Sequence, residues 1–138
     1  MATFISVRDK ITAILNGVAK LAFVADFHDP NLTGFPAATF DITEETGEFI
    51  TNKENLRTIT YQIVLYQEIK RRGLDDAQRI LDGVAIDVID AFENDFNLGG
   101  EVEFCLPVGG GRGQFESSAG ATFFQVLNLQ CKFVKLIN

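Results

Sequence analysis

The chain of 138 residues is the size of one domain built on a single core, and 46% hydrophobic against 22% charged residues is the balance of a folded protein rather than a disordered one. A net charge of −7 argues against wrapping nucleic acid by phosphate neutralisation, although an acidic wall can still line a path for DNA without gripping it. No apolar run reaches the about eighteen residues of a membrane span, and MATFISVRDK lacks the basic-then-apolar order of a signal peptide, so the expectation is a protein of the cytoplasm.

Ser6 to Val18 reads as a first helix, with Ser6 as N-cap, Asp9 at the capping-box position and Val7, Ile11, Ile14, Leu15 and Val18 on one face. Leu21 to Phe27 is a short apolar strand closed by a loop. That loop carries His28, the one histidine, which beside Asp26 and Asp29 reads as solvated. Ala37 to Thr43 is a second strand, Glu44 to Glu48 a polar turn, and Phe49 to Thr51 a brief resumption of strand.

Leu56 to Glu68 alternates Ile59, Tyr61, Ile63 and Leu65 against Thr58, Thr60, Gln62, Val64 and Tyr66, the pattern of a strand. At about 3.3 Å per residue it spans roughly 40 Å, more than a small core requires. Part of it, with Glu44 to Asn55, is therefore expected to project as a β-hairpin arm whose edge can pair with a neighbour. Lys70-Arg71-Arg72 is the densest basic cluster, suited to docking on an acidic neighbour but too small for a nucleic-acid site.

Leu74 to Asp95 is the clearest helix, with Ala77, Ile80, Leu81, Val84, Val88, Ala91 and Phe92 on its core face, Asp75 and Gln78 as a capping box, and Asn97 to Gly100 as its stop. Gly83 in mid-helix costs about 1 kcal/mol against alanine and is read as the close approach of another backbone. Asp90, Glu93 and Asp95 oppose the helix dipole; they are either solvated or met by a basic partner or cation. Ile86 points away from the core face and is a candidate subunit contact.

Glu101 to Val108 reads as a strand with Val102, Phe104 and Leu106 on one face and Cys105 on the other. The run from Gly109 to Gln114 lacks the lysine of a phosphate-binding loop and reads as a flexible loop that orders on assembly. Ala121 to Leu136 closes the chain as a strand with Phe123, Leu127, Leu129, Cys131 and Phe133 alternating against Thr122, Asn128, Gln130 and Lys132. Cys105 and Cys131 are expected to be buried and reduced, although a hairpin could bring them together. The whole is one α+β domain over 1–138: a mostly antiparallel β-sheet with two helices packed on one face and a projecting β-hairpin.

No catalytic constellation or metal-ligand spacing of Cys and His can be placed, so neither an enzyme nor a cofactor is expected. The strings GFPAATFDIT and ENLRTITYQIVLY, the basic turn, the amphipathic helix ending in NLGG and the closing strand pair together resemble the tail terminator proteins of long-tailed bacteriophages, over nearly the whole chain. Head-completion or neck adaptors and tail tube proteins are the nearest alternatives within a virion, and a non-phage binding module the alternative outside it. The resemblance implies a structural role: a ring, usually of six copies, that caps the tail tube, stops its polymerisation and offers the head-joining surface. The implied partners are further copies of the chain, the tail tube protein, a head completion or connector protein, and DNA passing through the lumen without specific binding. The implied location is the head-proximal end of the virion tail. Candidate contact residues are Glu44, Glu45, Glu48, Phe49 and Arg57 on the arm, Arg71 and Arg72 in the basic turn, Ile86 on the helix and Arg112 in the glycine-rich run.

Overall fold

The structure is a computed structural model and describes residues 3–28, 32–70, 73–117 and 120–136. It is an α+β fold: helix α1 (Phe4–Asn16), strands β1 (Phe23–Ala25), β2 (Ala37–Phe49) and β3 (Glu54–Glu68), helix α2 (Gly73–Asn94), then strands β4 (Phe104–Gly109), β5 (Arg112–Ser117) and β6 (Gly120–Leu136). The sheet runs β1-β2-β3-β6-β4, with β5 also on β6. All pairings are antiparallel except β1 with β2.

Both helices lie on one face. The odd-numbered residues of β3 (Ile59, Tyr61, Ile63, Leu65) and Phe123, Leu127, Leu129, Cys131 and Phe133 of β6 meet Val7, Ile11 and Leu15 of α1 and Leu81, Val84, Val88 and Phe92 of α2 in one core. Period two on the strands and period three-to-four on the helices face each other across it, which is why the sheet and helix patterns agree.

Several boundaries differ from expectation, each for a local reason. Helix α1 starts at Phe4, not near Ser6, because Thr3 is the N-cap: its hydroxyl accepts from the Ser6 N–H, and the Ser6 hydroxyl accepts from the Thr3 N–H. Asp9 takes no part in that box. Helix α2 starts at Gly73, so Asp75 lies within its first turn and pairs with Arg79 at 3.3 Å instead of capping. Its far end is stopped as expected, where the Asp95 carboxylate accepts from the Gly99 N–H at 2.8 Å and the Asn97 side chain from the Gly100 N–H at 3.3 Å. Asp95 thus closes the helix end rather than merely opposing its dipole.

The stretch Glu44 to Glu48 is strand, not turn. Strand β2 runs on to Phe49, absorbing one residue as a bulge between Ile42 and Glu44, and the turn falls instead at 50–53, closed by the Ile50 N–H on the Glu54 carbonyl. The arm is also broader than a lone hairpin, since β6 pairs with β3 as far as Glu54↔Leu136.

The glycine-rich run is not a free loop either. It is a kink in one long edge, where β4 leaves off pairing with Asn128 to Lys132 and β5 takes up Gly120 to Gln125 of the same strand. The Gly111 carbonyl accepts from the Val126 N–H at 2.7 Å. A side chain on Gly110 would overlap the Val126 carbonyl, so the backbone can cross there only as glycine.

Strand β4 starts at Phe104, and its core-facing residue is Cys105, fully buried, while Phe104 and Leu106 face the other way. The register sets Cys105 directly opposite Cys131, and the two form a disulfide with a Cα–Cα distance of 4.1 Å. The expectation of reduced thiols is overturned by that pairing: both side chains point into the same core from neighbouring strands.

Candidate assembly surfaces

Three of the surfaces that the described residues leave uncovered bear on assembly. The first is the arm. Strand β1 covers the outer edge of β2 only as far as Thr39, so from Asp41 to Phe49 that edge has no strand beside it among the described residues. Glu44, Glu45 and Glu48 are exposed along it, and Phe49 and Ile50 at its end are 72% and 52% exposed. Arg57 reaches back from β3 to Glu45 at 3.4 Å and lies across Gly47. Two polar atoms here, Asn55 Oδ1 and Arg57 Nε, are buried without a hydrogen-bond partner. Phe49 was legible in the sequence as an arm residue; Ile50, its neighbour in the same apolar tip, was not singled out.

The root of the arm is held to the domain by Arg8. It pairs with Asp41 at 3.0 Å, donates to the Asp26 carbonyl and sits 5.7 Å over the Phe40 ring. Burial alone would push the Asp41 carboxyl up, but the Arg8 hydrogen bond, the Ile42 N–H and the charges of Arg8 and His28 outweigh it and hold the carboxyl below its usual range. His28 is exposed, yet its Nδ1 lies 2.9 Å from the Thr39 hydroxyl.

The second surface is the outer face of α2. Ile86 is 58% exposed, as its position on the helix implied. Close to it on the same helix, an open groove of 350 Å3 is lined by Lys20, Pro36, Arg79, Ile80, Gly83 and Val84. Among the described residues no backbone approaches Gly83: a side chain there would meet only Lys20 Nζ, at 3.4 Å, in place of the expected close contact. Asp90 and Glu93 are exposed farther along the helix, and Asp90 with Asp87 and Asn94 lines a shallow cleft against Gly17 to Ala19.

The third surface is the sheet face away from the helices. Tyr66 and Phe115 meet edge-on at 6.2 Å, Phe115 and Phe124 at 6.1 Å, and Gln62, Val64 and Val126 complete a shallow apolar hollow. Sequence reasoning missed it. The doublet Phe123-Phe124 was its signal, because adjacent strand residues face opposite sides and so one of the two must serve the outer face.

The candidate residues are thus spread over separate surfaces. Glu44, Glu45, Glu48, Phe49 and Arg57 come together on the arm; Ile86 stands apart on α2. Arg112 stands on β5 and pairs within the chain with Asp82 of α2 at 2.7 Å. Arg71 and Arg72 lie outside the described residues. Among the described residues, no group of three or more His, Cys, Asp or Glu is placed to hold a metal ion, and no helix is long and apolar enough to cross a membrane. No protein-family model matches the chain, and no curated protein matches it.

Proposed function

We propose that this protein is a structural part of a long-tailed bacteriophage, a tail terminator whose copies form a ring on the end of the tail tube. The observation that carries this reading is the arm: an acidic projection whose apolar end, Phe49 and Ile50, is left in water by its own chain. Exposed apolar side chains at the end of a projection favour burial against another molecule. The resemblance of the strand and helix strings to tail terminators supports the same reading, as does the surplus of acidic over basic residues, which suits a conduit that DNA must traverse without sticking.

In this reading the arm and the exposed face of α2 supply contacts between copies, and the ring stops tube growth by covering the last tube subunits. Its opposite rim receives the head completion or connector protein. The protein has no catalytic step to perform and needs no cofactor.

Light scattering of the purified chain, alone and mixed with tail tube protein, followed by negative-stain imaging, tests the proposal. Rings that cap tube ends are expected. A chain that stays monomeric and binds no tube refutes it.

A further inference from the structure

The groove on α2 has the shape and charge to receive the arm, and the sheet geometry says whose arm it is. The groove lies at the start of β2, where Pro36 forms part of its wall, whereas Phe49 is the last residue of that strand. The 13 residues of β2 separate the two by roughly 40 Å at about 3.3 Å per residue. An arm therefore cannot fold back onto the groove of its own chain.

We infer that the groove formed by Lys20, Pro36, Arg79, Ile80, Gly83 and Val84 is the seat for the Phe49–Ile50 tip of a neighbouring copy. This rests on the ring-forming reading above and adds where the copies meet. The floor of the groove is apolar, matching the two exposed side chains of the tip. Its rim carries Lys20 and Arg79, opposite in sign to the exposed carboxylates of the incoming arm. Those cations are held by exposed pairs, Lys20 with Asp87 at 3.0 Å and Arg79 with Asp75 at 3.3 Å, which are weak enough to exchange.

Gly83 gains a purpose that packing within the chain does not give it. Among the described residues no neighbouring backbone needs the space, and the missing side chain keeps the groove open. Donor tip and acceptor groove lie on different parts of one molecule, so the contact is head-to-tail, the kind that closes into a ring when the rotation per copy fits and otherwise makes a filament.

The test is light scattering over a concentration series for the full-length wild type, Gly83→Leu and Phe49→Asp, with thermal melting to establish that each is folded. The wild type is expected to assemble, and each variant to need at least about tenfold more protein to do so. Mixing the two variants is expected to give dimers and no larger species, because each retains one intact half of the contact. Lys20→Glu with Arg79→Glu, both on the exposed rim, serves the same purpose as Gly83→Leu if that variant is unfolded. A wild type that assembles while the groove and tip variants assemble equally well overturns the seat and leaves the ring reading standing. Folded variants whose mixture stays monomeric also overturn the seat. A wild type that stays monomeric, with and without tube protein, overturns the seat and the ring together.

Discussion

Arg57 lies across the backbone of Gly47: a β-carbon at residue 47 would stand 2.8 Å from Arg57 Nη1 and 3.0 Å from Asn55 Oδ1. The glycine that looks like a turn residue is there to let an arginine pass over a flat strand and reach Glu45. Gly47→Val should therefore push Arg57 off the arm while leaving the core untouched. Monomer stability is expected to change by less than about 1 kcal/mol, since the site is exposed, whereas assembly measured by light scattering should weaken. Unchanged assembly would show that this face of the arm makes no contact.

Tyr61 is fully buried in the core, and its hydroxyl has no hydrogen-bond partner among the described residues. Leaving a polar group buried and unpaired costs about 1–3 kcal/mol, so Tyr61→Phe should raise stability by about 1 kcal/mol in a urea titration. Burial pushes the phenol up from 10.0 to about 12, with Glu45 and Asp41 adding to it against Arg8. A raised value means the folded protein keeps the proton that the unfolded chain loses. Stability is therefore intact below pH 10 and falls as the pH climbs from there toward about 12, and this part of the alkaline loss should vanish in Tyr61→Phe.

The disulfide between Cys105 and Cys131 closes a loop with a sequence separation of 26 and sits beneath the helices, both side chains fully buried. Chain entropy alone gives such a crosslink about 3 kcal/mol. Replacing both cysteines with alanine should lower unfolding stability by about 2–4 kcal/mol in guanidinium. In the native wild type, a thiol reagent should find no reactive cysteine until the protein is both unfolded and reduced.

How much of this was legible in the residues depended on how regular each pattern was. β3 alternates without interruption from Ile59 to Leu65, β6 does so from Leu127 to Phe133, and α2 carries an unbroken apolar face, so their core residues could be read directly. The face of β4 could not, because alternation counted from Val102 crosses a turn before the strand starts at Phe104 and loses its phase. Glycines misled most. Gly47 and the run from Gly109 carry the usual marks of turns and loops, yet they serve a crossing side chain and an edge-strand kink, features that depend on which strand lies opposite. The groove was hidden for the same reason: it joins Lys20 and Pro36 to a helix some forty residues or more away along the chain, roughly the whole of β2 and β3 in between.

Asp41 anchors the arm root through Arg8, and its carboxyl is held below the usual range. A lowered value means that the stabilisation is complete above the unfolded value of 3.8 and is lost as the pH falls through the lower folded value. With the Asp41 side chain 44% exposed, solvent screens the pair, and Asp41→Asn should cost no more than about 1 kcal/mol near neutral pH. Its effect should shrink further as the pH falls through the lowered folded value, where the wild-type carboxyl also becomes neutral. A stability difference between the two proteins that grew on acidification would contradict this account of the pair.

Ile63 and Ile86 give the sharpest separation of folding from assembly, since the first is fully buried in the sheet core and the second is 58% exposed on α2. Ile63→Asp places an unpaired carboxylate where no partner can reach it, a penalty of several kcal/mol that consumes most of the stability of a small domain. It should unfold the protein, visible as loss of a cooperative melt. Ile86→Asp changes a side chain already in water, so melting should shift little. If Ile86 belongs to the surface between copies, that variant should stay monomeric at concentrations where the wild type assembles, because a carboxylate would then have to be dehydrated against a neighbour. Normal assembly of the Ile86 variant would remove Ile86 itself from the contact and leave the arm and its groove to carry it.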